Sequence, residues 1–251
     1  MTTAIMPGCE PFSVNNGPLG VLVLHGFTGN PTSMRPIAER LAKAGYSVSL
    51  PRLPGHGTSV EDMMTTSWAD WSRAALDAYD ELAKRSTSVA VVGLSMGGGL
   101  SAFVAEQRHD VAACVFINPL VKPPAQELID GLQALLDSGM ETFESIGSDI
   151  KKEGTVEASY SATPLGCAAS LFDGVTGVER DLGKIVAPSL LLSSREDHVV
   201  TSDNGDAIVA KSSGTVERIW LENSYHVATI DNDQELVESS TLRFLDAILH
   251  S

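Results

Sequence analysis

Continuous apolar runs and helical stripes alternate along the chain, and this alternation sets the expected fold class. Tyr46 to Leu50 reads as a strand, and Gly20 to Leu24, Val89 to Val92 and Val111 to Ile117 are short apolar runs, unbroken and rich in β-branched residues. Strands buried on both faces have that pattern. Between them the apolar positions recur at helical spacing. Ile37, Leu41 and Ala44 share one face of a helix starting near Thr32, capped by Thr32 or Ser33 and ended by Gly45. Trp68, Trp71, Ala75, Leu76, Tyr79 and Leu82 share a face of a helix starting near Ser67, and Leu100 to Val104 opens another. Phe12 to Val14 is a short leading strand. Ala187 to Ser193 and Val216 to Leu221 are later strands, separated by a helix over Asp203 to Lys211. A last helix runs through Leu236, Phe244, Leu245 and Ile248. The order implies an α/β fold, a mostly parallel central sheet with helices on both faces.

The rhythm breaks between residues 120 and 184. Leu128, Ile129, Leu132, Leu135 and Leu136 form one helical stripe, and Met140, Phe143, Ile146 and Ile150 a weaker second one. A structureless loop of that length is improbable in a compact domain. The expected organisation is a core of residues 1–119 and 185–251, with 120–184 as a small, mostly helical inserted cap. For any single stripe residue, docking on the core is the safer expectation, and lining a pocket the alternative.

Composition narrows the partners. The formal net charge of −15 argues against nucleic acid and against anionic membranes. No apolar run approaches the roughly 20 residues that span a bilayer, so stable membrane insertion is not expected. The first residues carry neither a basic segment nor a long apolar core, and the three cysteines have no metal-like spacing. The expectation is a cytoplasmic protein without disulfides.

The candidate chemistry centres on Gly93-Leu94-Ser95-Met96-Gly97, a G-x-S-x-G sequence with a strand before it and a helix after it. There the serine sits on a sharp strand-to-helix turn, with Oγ lifted over a helix N-terminus. A serine hydroxyl is a weak nucleophile and needs a base, and the base needs a group that fixes its tautomer. His226 is the best base, because its loop follows the last strand and reaches the rim formed by the strand ends. His198 is its rival. His25 and His56 are expected to brace loops and His109 to end the helix after Ser95, while His250 lies at the C-terminus. Asp197 follows a buried strand by a short loop and is the best acid, with Glu196 beside it pointing elsewhere. The N–H of Met96, next after the nucleophile, and the N–H of Phe27, in the loop after the first strong strand, form the expected oxyanion hole. Both side chains are also expected to line the substrate pocket.

These motifs resemble the α/β-hydrolase superfamily, and more narrowly small bacterial carboxylesterases and monoacylglycerol lipases with a short helical cap. The resemblance is carried by Leu24-His25-Gly26-Phe27-Thr28-Gly29, Leu53-Pro54-Gly55-His56-Gly57, Gly93-Leu94-Ser95-Met96-Gly97-Gly98, Arg195-Glu196-Asp197-His198 and Asn223-Ser224-Tyr225-His226-Val227. The chain order Ser95, Asp197, His226 is the order of that superfamily. The resemblance implies serine hydrolysis through an acyl-enzyme, with no metal or organic cofactor, on short- to medium-chain esters or monoacylglycerols. The substrate is then a small ester with an apolar acyl chain, in keeping with Leu and Ile stripes in the cap. Thioesterase, amidase, C–C hydrolase and acyltransferase chemistry use the same constellation, and a non-catalytic binding module can share the fold.

Overall fold

The computed structural model describes residues 3–145 and 147–250. The chain runs β1 (Phe12–Val14), β2 (Leu19–Leu24), α1 (Arg35–Lys43), β3 (Ser47–Leu50), α2 (Val60–Met63), α3 (Trp68–Ala83), β4 (Ser88–Leu94), α4 (Met96–Gln107) and β5 (Val111–Ile117). It continues through α5 (Gln126–Asp137), β6 (Thr142–Glu144), β7 (Ala162–Pro164), α6 (Leu165–Asp181), β8 (Ser189–Ser194), α7 (Asp203–Lys211), β9 (Val216–Leu221) and α8 (Gln234–Leu249). Seven strands form one sheet in the order β1-β3-β2-β4-β5-β8-β9. Only β1 is antiparallel to its neighbour. The α/β fold with a mostly parallel central sheet follows the apolar runs closely.

Those runs are continuous because each central strand is covered twice. Leu22 and Leu24 face a layer built with α3, α4 and α6, whereas Val21 and Val23 face a layer built with α1 and α8. Helix ends are fixed by polar side chains. Ser67 and Asp70 form a capping box at α3. The turn before α1 is capped by Asn30, whose side chain accepts from the Thr32 N–H, so the cap lies ahead of the expected Thr32 or Ser33.

The stretch 120–184 holds α5, a two-stranded hairpin of β6 and β7, and α6. The first stripe is helical, as α5. The second is not: Phe143 lies in β6 and Ile150 beyond it, while Ile146 falls outside the described residues. The two halves of the stretch differ in burial. Leu165, Cys167, Leu171, Val175 and Val178 of α6 enter the same apolar layer as α3 and α4. No residue of α5 is buried, and Leu128 is 55% exposed. Docking on the core is thus not realised for α5.

After β3 the chain crosses back over β2 to β4, so strand order reverses between β2 and β4. Ligands of open α/β sheets bind at such a switch point, beyond the carboxyl ends of the strands. Among the described residues, no helix is long and apolar enough to cross a membrane.

Candidate active site

The only non-glycine residues with positive φ among those described are Thr28 (58°), Ser95 (56°) and Asn118 (41°). They follow β2, β4 and β5, on one rim at the switch point. Strained backbone of this kind persists only where the surroundings over-determine it, and it collects at functional sites.

The turn at Ser95 is determined by close packing. A Cβ on Gly93 would lie 2.0 Å from the Gly97 carbonyl oxygen, and one on Gly97 would lie 2.2 Å from that of Leu24. A Cβ on Gly98 would lie 2.6 Å from Pro119, and one on Gly99 would lie 2.4 Å from the Leu120 carbonyl oxygen. Only glycine lets the start of α4 press this near β2 and β5. The Ser95 N–H donates to the Ile117 carbonyl at 3.0 Å, and the Ser95 carbonyl accepts from Gly98, Gly99 and Leu120. Met96 is the first residue of α4, where N–H groups lack an intrahelical acceptor. The loop after β2 abuts the serine, since a Cβ on Gly26 would stand 3.4 Å from the Ser95 Cβ. The next residue, Phe27, packs its half-buried ring against Trp71, whereas Met96 is fully buried.

His226 and Asp197 are brought together. His226 Nδ1 is 2.8 Å from Asp197 Oδ2, and the two side chains are only 8% and 4% exposed. Asp197 Oδ1 accepts the N–H groups of Val199 and Val200 at 2.9 and 2.8 Å, which fixes the carboxylate. A carboxylate on Nδ1 leaves Nε2 as the free lone pair of a neutral ring. Asn118 connects this pair to the Ser95 turn. It follows Ile117 directly, and its Nδ2 donates to the His226 carbonyl at 2.8 Å and to Ser194 Oγ at 2.9 Å.

The other histidines are placed elsewhere. His25 is fully buried, with Nδ1 3.0 Å from the Gly26 carbonyl and Nε2 accepting from Leu53 N–H at 3.1 Å. It ties the loop after β2 to the loop after β3. Burial, followed by the neighbouring His56, pushes its pKa down to about 3. His56 donates Nδ1–H to the Pro54 carbonyl and packs on Trp71; burial pushes it down to about 4. Both rings are neutral at physiological pH. His198, the rival base, turns away from Asp197 and bonds Asp149 Oδ1 through Nδ1 at 2.8 Å. That hydrogen bond, then the charge of Asp149, raises its pKa. His109 is exposed, and His250 lies 3.8 Å from Asp246 near the end of α8.

Two residues at the site carry no sequence motif. Glu157 comes from the 120–184 stretch, and its Oε1 hangs over Gly29, where a Cβ would meet it at 2.9 Å. Burial raises the Glu157 pKa, while His226 and the Ser33 hydroxyl pull it back. Asp149 lies against the backbone of His226. Neither follows a strand of the sheet, so the rule that finds residues at strand ends passes over both. A cavity of about 370 Å³ lies between Met64 and the 120–184 stretch, against Leu136, Met140, Pro164 and Cys167, and no member of the Ser95, Asp197, His226 set lines it. Among the described residues, no three His, Cys, Asp or Glu side chains converge to hold a metal ion.

A family model described as serine aminopeptidase, S33, matches residues 19–233. The chain belongs to this family. It is 43% identical over 244 residues to a thermostable monoacylglycerol lipase of Bacillus sp. strain H-257, covering 96% of this chain and 95% of that protein. It is 27% identical to a carboxylesterase of Bacillus subtilis strain 168, covering 95% and 97%. A solved structure of the metagenome-derived lipolytic enzymes LipS and LipT superposes with a TM-score of 0.92 at 40% identity, covering 96% of this chain and 98% of that one. The fold is therefore that of the α/β-hydrolases, and this family member is an enzyme of the esterase and lipase type.

Proposed function

We propose that the protein hydrolyses carboxylic esters with apolar acyl chains, short- to medium-chain esters or monoacylglycerols, through an acyl-enzyme. The observation that carries this reading is the buried His226–Asp197 pair, tied through Asn118 to the strained turn of Ser95. Ser95 Oγ gives its proton to His226 Nε2 as Oγ attacks the acyl carbon. Asp197 holds the imidazole tautomer and stabilises the imidazolium. The N–H groups of Met96 and Phe27 take the charge that develops on the carbonyl oxygen. The acyl–oxygen bond breaks, and the departing alkoxide takes the proton from His226. Water then repeats the sequence: His226 accepts its proton, its oxygen attacks the acyl carbon, and Ser95 leaves reprotonated.

Residues 120–184 act as the cap over this rim, with the Phe27 ring as part of the pocket wall. The Glu157 carboxyl, beside His226 and over Gly29, suits the hydroxyls of a glycerol leaving group better than an apolar alcohol. The similarity to a monoacylglycerol lipase over nearly the whole chain supports the same substrate class.

The test is a series of p-nitrophenyl esters from acetate to palmitate, with a monoacylglycerol and a matched amide, on wild type and Ser95→Ala. Turnover is expected to peak at short or medium chains, extend to the monoacylglycerol, and fall at least about 10⁴-fold in Ser95→Ala. Full activity in that variant overturns the assignment of Ser95. An amide cleaved faster than its matched ester overturns the ester reading.

A further inference from the structure

Asp149 forms four hydrogen bonds, all with the two loops that carry Asp197 and His226. Its Oδ2 accepts the main-chain N–H of His226 and that of His198, both at 3.1 Å. Its Oδ1 accepts from His198 Nδ1 at 2.8 Å, and its main-chain oxygen accepts from Val227 N–H at 3.1 Å. The side chain is 12% exposed. Asp231 makes the reciprocal connection from the core. It is 1% exposed and accepts N–H groups from Lys151 and Lys152 at 2.8 Å and from Tyr225, just before His226, at 2.9 Å.

We propose that Asp149 is a positioning residue for His226, so that the insert, as well as the core, sets the proton-transfer geometry. The proposal rests on the reading of His226 as the base. Fastening the insert is already the work of Asp231, whose bonds reach the main chain of residues 151 and 152. The bonds of Asp149 go instead to the base, to the residue after it and to the residue after the acid. Asn118 fixes the carbonyl of His226 and Asp149 fixes its N–H, so the imidazole projects from a peptide segment held at both ends.

The test compares Asp149→Ala, Asp149→Asn and Asp149→Glu, reading kcat, KM and Tm on a p-nitrophenyl ester, with Ser95→Ala as control. An ångström of misplacement costs up to about 100-fold, so Asp149→Ala is expected to lower kcat by roughly 10- to 100-fold with KM within about threefold. Asp149→Asn keeps an oxygen for the His226 and His198 N–H groups and is expected to lose less than about threefold. Asp149→Glu keeps the charge but moves it by one methylene, and is expected to fall with the alanine variant. An unchanged kcat in Asp149→Ala overturns the proposal, as does Asp149→Asn falling equally far. Where the alanine variant does not fold, Asp149→Glu matching Asp149→Asn overturns it. Ser95→Ala separates the two layers: activity there sinks the triad itself, whereas an inactive Ser95→Ala beside an unimpaired Asp149→Ala sinks the positioning role alone.

Discussion

Helices α4 and α5 have the same length, 12 residues each, and opposite environments. Ten residues of α4 are buried, from Met96 through Ala102 and from Val104 to Glu106. None is buried in α5. Helix α4 shows almost no amphipathic pattern because it is enclosed on every side. Helix α5 has a clear apolar stripe, yet Ile129, Leu132, Leu135 and Leu136 are only half-buried and Leu128 is exposed. An apolar stripe therefore marks a helix more surely than it marks a buried one. The helix that follows Ser95 is held rigid by enclosure, while α5 contributes little to the core.

The same substitution on both helices tests this contrast at its greatest. A Cβ at Gly97 would lie 2.2 Å from one main-chain oxygen and 2.7 Å from another, and neither can retreat without moving β2. Gly97→Ala is expected to cost more than about 4 kcal/mol, enough to unfold a protein of ordinary stability. Gly131 on α5 faces open space within 4 Å. Gly131→Ala is expected to stabilise by about 0.5–1 kcal/mol, the gain of alanine over glycine inside a helix. Denaturant midpoints of the two variants check the pair, and equal effects in the same direction would break the comparison.

An effect spread over several pH units comes from a carboxyl that α4 encloses. Glu106 is 4% exposed and its Oε1 has no hydrogen-bond partner. Burial, with Asp181 adding to it, pushes its pKa from 4.5 up to about 8, against the pull of Lys184 and Arg180. Between those values the folded protein keeps a proton that the unfolded chain releases. Stability from this group therefore falls as pH rises from about 4.5 to 8, by at most about 1.4 kcal/mol per pH unit, and levels off above. Glu106→Gln removes the slope. Its stability relative to wild type, from urea unfolding between pH 5 and 8.5, is expected to climb with pH. A constant difference would show that the carboxyl is not held neutral.

The contrast between the helices also separates what the chain discloses locally from what it does not. The Ser95 turn is legible because the glycines that permit it lie within seven residues, Gly93 to Gly99, on a strand and helix with their own patterns. The sheet is legible because strands covered twice must be apolar without interruption. The supports of His226 are another matter. Asn118 and Asp149 lie 108 and 77 residues away in the chain and act through single polar atoms. Many Asp and Asn residues in loops could do the same, and no periodicity marks the ones that do. Position after a strand points to Asn118; nothing comparable points to Asp149 or Glu157. The hairpin of β6 and β7 was masked in the same way, because its apolar residues are too few and too irregular to show the alternation of a strand.

The smallest effect is expected on the exposed side of α5. Leu128 is 55% exposed, so replacing it removes little apolar area from a buried site. Serine is a slightly poorer helix former than leucine, and substitutions at such positions usually change stability by less than about 0.5 kcal/mol. For a chain of this size that is a shift of under about 2 °C in Tm. Leu128→Ser is therefore expected to melt with the wild type in a calorimetric scan. A fall of more than about 4 °C would mean that Leu128 is packed against something in solution, and that the two helices are less different than their burial implies.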